Sequence, residues 1–428
     1  MRVLLLGATG LIGRRLAEVL GRSGHELVLG VRDRAKAPDG AQVVEVDFAR
    51  DHEAADWLPR LQGIDAVVNA VGILAEAPGQ DFESIHVRAP LALFEACLRL
   101  RVGRVVQVSA IGADAQATSG YHRSKYLADQ ALLASGLSAV VVQPSLVFSP
   151  EGASTGLFAA LAALPVIPVP GNGRQCVQPV HLDDVCAVLR ACVEDPDPPP
   201  RVEVVGPRPL ELRDYLLQLR ALMGLGTAPV VPVPRALVRL GSRMGGLLPD
   251  PPVDPETLDM LERGACGDPG TMTRLLGRAP REVAAFDPGH AMEPLGLAAR
   301  LEWLLPMMRV ALAVMWIVTG VVSLGLYPVA DSLELLARTG LHGSLAMASL
   351  YLAAGLDLAF GVATVAMRRR RLWLYRAQLL LIAGYTVIIT LRLPEFWLHP
   401  YGPILKNLPV IALIIALHEL ERGRRWST

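Results

Sequence analysis

The chain has 428 residues with 41 basic and 41 acidic side chains, so its formal charge is zero and a general nucleic-acid-binding surface is excluded. Hydrophobic residues make up 52% of it and the mean hydropathy is +0.38, with the excess gathered beyond residue 305 or so, which marks that part for a membrane. Cys97, Cys176, Cys186, Cys192 and Cys266 form no CxxC pair and no histidine cluster has zinc spacing, so no metal site is expected, and the thiols are expected buried and reduced.

The chain opens with VLLL (3–6), a wholly apolar run suited to a buried parallel strand. GATGLIG follows, with Gly7, Gly10 and Gly13, and then RRLAEVLGRSG, whose Leu16, Val19 and Leu20 extend an apolar helix face begun at Leu11 and Ile12. A strand, a glycine turn and a helix in this order form a dinucleotide cradle. The glycines permit a sharp bend and a close approach to a pyrophosphate, and the helix start offers free N–H groups. Gly7, Thr9, Gly10, Leu11, Ile12 and Gly13 are the expected cofactor contacts.

HELVLGVRDR reads as the second strand. Arg32 at its end is expected to pair with the 2′-phosphate of NADP(H), while Asp33 keeps NAD as the alternative. AQVVEVDFAR is a third strand, ending in Asp47 and Phe48 placed for the adenine, and IDAVVNAVGI is a fourth. After the fourth, Asn69, Ala70, Val71 and Gly72 let the chain pass close to the cofactor. RVVQVSAIGA is a fifth strand, and helical stretches such as APLALFEACLRL alternate with the strands, so the sheet is predicted parallel and doubly wound.

YHRSK places Tyr121 and Lys125 four apart, on one helix face. A phenol titrates near ~10 and is a poor acid–base group at neutral pH, and a neighbouring ammonium is expected to lower that value. Ser109, at the end of the fifth strand, is expected to hydrogen-bond a substrate carbonyl or alcohol.

These motifs, in this order over about residues 1–300, resemble the short-chain dehydrogenase/reductase superfamily. The likeness is strongest to its extended and atypical branches, which hold the NAD-dependent epimerase/dehydratases and the NADPH-binding accessory subunit of respiratory complex I. The resemblance implies Tyr121 as general acid/base, Lys125 on the nicotinamide ribose and lowering the tyrosine pKa, and Ser109 orienting the substrate. VVVQPSLVFSPEG is similar to the family segment that passes the nicotinamide, implying Pro144 and Ser145 near that ring. His86 stands about where active members often carry an asparagine. His181 and Asp183, in VQPVHLDDVCAVL, read as strand-end and helix-cap structure.

Beyond residue 150 the proline-rich stretches read as a substrate lobe and lid. Four apolar segments follow, at 306–327, 342–367, 372–393 and 404–420, each near the ~20 residues a crossing helix needs. Arginines at 368–371 and in ERGRRW fit a four-span topology with both termini and the nucleotide domain in the cytoplasm, in the inner membrane. FWLHPYGPILKNLPVIALIIALHELE resembles the DoxX-like membrane family over about 305–425. The expected architecture is a Rossmann-type α/β domain (1–225, with part of a small substrate lobe from 150), the rest of that lobe (226–300), and a four-helix transmembrane bundle (305–425). The expected partners are a small-molecule substrate, the lipid bilayer and a membrane redox partner. The leading reading is an NADP(H)-dependent oxidoreductase acting on a small lipophilic carbonyl or alcohol. A non-catalytic NADPH-binding assembly protein and an NAD-dependent epimerase/dehydratase are the alternatives.

Overall fold

Seven short strands, almost all apolar, pair only with parallel neighbours: β1 (Arg2–Leu6), β2 (Glu26–Val31), β3 (Gln42–Glu45), β4 (Ala66–Asn69), β5 (Arg104–Val108), β6 (Ala139–Pro144) and β7 (Arg201–Val204). Their order is 7-6-5-4-1-2-3, the doubly wound pattern predicted. The computed structural model describes residues 1–38, 40–245, 255–286, 292–367 and 371–422, in two units, Met1–Ala299 and Arg300–Thr428.

Successive strand residues point to opposite faces, and both faces are covered. Val3 and Leu5 pack with Leu16 and Leu20 of α1 (Leu11–Arg22) and with Val185 and Leu189 of the helix Leu182–Glu194. Leu4 and Leu6 pack on the other side with Trp57 and with Leu93 of α2 (Ala89–Leu100). This two-sided burial is why the strands read as continuous apolar runs. The helix α3 (Gly120–Ala134) starts at Ser119, whose hydroxyl accepts from the His122 N–H at 3.2 Å. Tyr121, Lys125, Ala128, Asp129 and Leu132 make its buried face.

The substrate lobe has its own core, in which Phe148, Phe158, Tyr215, Leu219 and Phe286 meet. Short two-stranded pairings frame it, such as Ile167–Pro170 with Val230–Val233. Here the expectation of reduced thiols fails, because Cys176 and Cys266 form a disulfide across 90 residues. The tertiary fold brings the two segments together, with Ala265 N–H donating to the Cys176 carbonyl at 2.9 Å, so sequence spacing carried no trace of it. Cys97, Cys186 and Cys192 are buried free thiols, as expected. His181 ends a two-residue strand, and its Nδ1 accepts from the Asp183 N–H at 3.1 Å as the cap of the helix Leu182–Glu194, which becomes α4.

The helix α5 (Pro255–Arg263) belongs to the lobe, and α6 (Met292–Val321) begins the helical region. It continues with α7 (Val329–Thr339), α8 (Gly343–Ala366), α9 (Arg371–Arg392) and α10 (Asn407–Arg422). Among the described residues three helices are long and apolar enough to cross a membrane: Met292–Leu326, Gly343–Ala366 and Arg371–Arg392. The fourth expected span is the 16-residue α10, about 24 Å long, against the ~30 Å of a bilayer core. The amphipathic α7 was not foreseen; Asp331 in its first turn, Arg338 in its last and Gly340 at its C-cap are the signals it offers. Of the arginine clusters that suggested an orientation, residues 368–370 and 423–428 lie outside the described residues. Within the bundle core Leu312 and Trp316 meet Phe360, Tyr375, Ile382 and Leu417. Gln378 Nε2 donates to Thr364 Oγ1 at 2.8 Å, and the fully buried side chain of Glu421 accepts from Arg309 Nε at 2.6 Å and from the Tyr375 hydroxyl at 3.1 Å.

Candidate functional site

The glycine loop is built as the sequence requires. Gly7 has φ +77°, and a Cβ on it would meet the Ala70 carbonyl carbon at 2.9 Å. A Cβ on Gly13 would stand 2.1 Å from the Gly7 carbonyl oxygen, so α1 approaches the loop only because Gly13 has no side chain. Gly10 donates its N–H to Gly7 O at 2.9 Å and caps α1. Beside this loop lies a cleft of about 240 Å³, lined by Gly7, Thr9, Gly10, Arg32, Asp47, Phe48, Ala70, Val71 and Gly72 among others. Leu11 lines a neighbouring cavity, and Ile12 is half-buried beside it in α1.

Arg32 is exposed at the cleft, whereas Asp33 turns back to accept from the Ala35 N–H at 3.0 Å and caps a short helical turn. Asp47 likewise accepts from the Ala49 N–H at 3.1 Å, which shapes the loop that carries Phe48. Asn69 departs from the expected role, since its side chain is fully buried and does not face the cleft. It donates to Gln107 Oε1 at 2.8 Å and accepts from the Val71 N–H at 3.1 Å, so it holds the Ala70–Val71–Gly72 edge from beneath. Pro144 is buried at the end of β6, and the Ser145 hydroxyl donates to the Gln178 carbonyl at 2.5 Å.

Lys125 Nζ donates to the Val71 carbonyl at 3.2 Å and to the Val108 carbonyl at 3.1 Å. It therefore ties α3 to the ends of β4 and β5. Burial lowers its pKa to about 8, partly offset by the nearby Asp129 carboxylate. A Cβ on Gly72 would meet Lys125 Nζ at 3.0 Å and His86 Nε2 at 3.4 Å, so the ammonium and the imidazole converge on one backbone point at the cleft edge.

His86 sits in a single π-turn, Glu83–Arg88. The Ile73 N–H donates to its Nε2 at 3.0 Å, and its Nδ1 lies 2.9 Å from Ser124 Oγ. Ser124 gives its own proton to the Tyr121 carbonyl, so Nδ1 is the donor and the imidazole is neutral. Burial, and then the charge of Lys125, push the His86 pKa down to about 2. The ring meets Tyr121 edge-on at 5.6 Å and stacks on Phe82 at 5.4 Å.

Tyr121 corrects a second expectation. Burial, and then the Asp129 carboxylate, raise its pKa to about 12. Lys125 does not offset this rise, and two of its three N–H donors go to backbone carbonyls. The phenol lies in an apolar nest with Phe82 and Ala110, flanked by Ile73 and by Met260 of α5. Glu256 of α5 accepts from the Tyr121 N–H at 2.9 Å, and Arg263 grips Asp114 at 2.5 Å and the Gly112 carbonyl at 2.8 Å. Ser109 has a partner the sequence did not show, because its hydroxyl points at Asp129 Oδ2, 2.5 Å away, and both side chains are buried. Asp129 was missed. It follows Lys125 by four residues on the same helix face, which is the signal that could have found it.

Residues 3–206 match the NAD dependent epimerase/dehydratase family, and residues 313–415 match the DoxX-like family. The chain is 27% identical over 202 residues to the NADH dehydrogenase [ubiquinone] 1 alpha subcomplex subunit 9 of Mus musculus, which covers 45% of this chain and 53% of that protein. It is 28% identical over 196 residues to a ceramide reductase of Caulobacter vibrioides, covering 45% and 61%. The chain thus spans about half the length of the curated relatives it matches. Among solved structures, a nucleoside-diphosphate-sugar epimerase from Staphylococcus aureus superposes with a TM-score of 0.53 at 17% identity, over 67% of this chain and 99% of that one. A UDP-glucuronic acid 4-epimerase from Bacillus cereus, in complex with NAD, gives 0.51 at 15% identity, over 71% and 99%. At such identities the likeness is one of fold.

Proposed function

From a chain that carries an epimerase/dehydratase-type Rossmann domain followed by a DoxX-like membrane domain, we propose a membrane-anchored NADP(H)-dependent reductase of a small lipophilic carbonyl compound. The observation that carries the reading is the bond from Lys125 to the carbonyl of Val71, a residue that lines the dinucleotide cleft, on the same helix face as the Tyr121 phenol. The glycine cradle, which a Cβ on Gly7 or Gly13 would fill, fits a pyridine dinucleotide.

Arg32 would hold the 2′-phosphate and Lys125 the nicotinamide ribose. When bound, the nicotinamide would supply a hydride to the carbonyl carbon. Tyr121 supplies the proton to the carbonyl oxygen, and solvent returns one to the phenolate, so carbonyl, NADPH and one proton become alcohol and NADP⁺. A phenol whose pKa is raised to about 12 is fully protonated at neutral pH, the state a proton donor needs, and is a weaker acid than a free phenol.

The apolar nest of Phe82, Ile73 and Met260 favours an uncharged substrate. Nearby cations of the lobe support this, because Arg263 is paired with Asp114 and Arg239 with Glu262 at 2.6 Å. One relative is by name a ceramide reductase, which agrees with a lipid carbonyl. The domain is proposed to face the cytoplasm of the inner membrane. Signal from a fused cytoplasmic reporter tests that orientation, and its failure would put Cys176 and Cys266 in a compartment where disulfides persist.

The test of function is NADPH oxidation by the full chain in detergent across a panel of long-chain ketones, aldehydes and quinones. Tyr121→Phe should abolish turnover while leaving NADPH bound. Equal rates in both proteins would remove the catalytic reading, and retention of NADPH without any turnover would favour the non-catalytic alternative.

A further inference from the structure

We propose that Asp129 is a positioning residue that sets the sense of the hydrogen bond Ser109 offers to the substrate and supports the charge of Lys125. The inference rests on the reductase reading for its rate measurements, but not for its binding measurement.

A serine hydroxyl has one proton and two lone pairs. Ser109 Oγ lies 2.5 Å from Asp129 Oδ2, and the two side chains are 5% and 0% exposed, so water does not compete for this bond. When Asp129 is ionised it can only accept. Ser109 must then donate its proton inward and present lone pairs to the site, which suits an alcohol. When Asp129 is protonated it can donate to Ser109, whose own proton is then free for a carbonyl oxygen. The same hydroxyl thus serves reduction in one state and oxidation in the other. No group other than a single proton on Asp129 has to change.

The surroundings permit both states. Tyr121 and Lys125 face Asp129 from its own helix, Ser109 from the end of β5, Gln143 from β6 and Arg201 from β7, while His86 on its π-turn is neutral. The other carboxylate oxygen, Oδ1, is buried without a hydrogen-bond partner among the described residues. That leaves the ionised form poorly solvated. Burial raises the Asp129 pKa, while Ser109, Lys125, Arg201 and the Gln143 side chain oppose the rise. Lys125 lies one helical turn before Asp129, and the carboxylate is the acidic group that supports its ammonium.

The experiment compares Asp129→Asn, Ser109→Ala and the unsubstituted full chain in detergent between pH 6 and 10. The first measurement is NADPH affinity, by enhancement of nicotinamide fluorescence, and it needs no turnover. The unsubstituted chain should lose affinity as Lys125 deprotonates. Asp129→Asn should move that loss at least one pH unit lower, and Ser109→Ala should leave it in place. The second measurement is kcat/KM against pH for ketone reduction. The unsubstituted chain should lose rate as Asp129 ionises, well below the tyrosine titration, and both variants should lack this limb.

An unmoved affinity limb in Asp129→Asn overturns the inference whether or not there is turnover. A rate limb that persists in Ser109→Ala overturns the part that runs through Ser109. A shifted affinity limb without any turnover upholds the support of Lys125 and removes the reductase reading instead. If Asp129→Asn fails to fold, Asp129→Glu, which keeps the carboxylate on a longer stem, should displace the affinity limb; an affinity limb left in place by that variant overturns the inference.

Discussion

The backbone N–H of Ile73 is donated to Nε2 of His86 at 3.0 Å, and this bond exists only while the imidazole is neutral. The His86 pKa is depressed from 6.5 to about 2, so the unfolded chain binds the proton more readily than the folded one. Its contribution to stability is therefore complete above about pH 6.5 and is lost as pH falls, at about 1.4 kcal/mol per unit. His86→Gln, followed by thermal melting from pH 7 to 4.5, should flatten the acid limb. The limb should not vanish, because burial also depresses His122 and His181.

Arg32 and Asp33 compete for the role of cofactor reader, but Asp33 is occupied as a cap on the Ala35 N–H. Arg32→Ala should weaken NADP(H) by roughly 10- to 100-fold and leave NAD(H) nearly unchanged, since a charge-assisted phosphate contact is lost. Titration calorimetry with both dinucleotides decides it. A selective loss of NAD(H) would make Asp33 the reader.

Two glycines of the loop should differ in sensitivity. A Cβ at Gly13 would sit 2.1 Å from the Gly7 oxygen, while one at Gly10 would sit at 3.2 Å from the same atom. Gly13→Ala should abolish dinucleotide binding and lower the melting temperature, because only backbone can yield there. Gly10→Ala should retain measurable binding.

The Cys176–Cys266 disulfide closes a 90-residue separation. On the chain-entropy account it stabilises by about 4–5 kcal/mol. Thiol reductant should lower the melting temperature of the unsubstituted chain and have no effect on the Cys176→Ser/Cys266→Ser double variant. Equal melting of both proteins, with and without reductant, would show that the bond contributes nothing.

In the helical region Glu421 is buried against Arg309, with Arg371 3.9 Å away. Glu421→Leu removes the buried carboxylate that Arg309 and Tyr375 bond, and breaking such a buried pair should cost about 3–5 kcal/mol. Joining it to Arg309→Met should recover part of that loss. Detergent melting of the two proteins separates the outcomes.

The readable parts of the chain were those governed by local periodicity. VLLL and the AVV of the fourth strand are buried on both faces, so their composition alone betrays a central strand. Tyr121 and Lys125 share a buried face because four residues is about one helical turn. What sequence could not give is where a side chain turns once it is there. Lys125 was expected to face the phenol, but the carbonyls of Val71 and Val108, brought in by two other strands, claim its protons. Ser109, expected to meet a substrate, also bonds a carboxylate 20 residues along the chain. The Cys176 pairing, likewise, depends on segments far apart in sequence.

The helix Pro255–Arg263 has a consequence for timing. Glu256 holds the first turn of α3, Arg263 holds the loop before it, and Met260 roofs the phenol between them. On the reductase reading proposed above, a substrate that reaches Tyr121 would have to displace this roof. Such a catalyst would run at the tempo of its doorway, and loosening the Arg263–Asp114 clasp would quicken it while blunting its choice of guest.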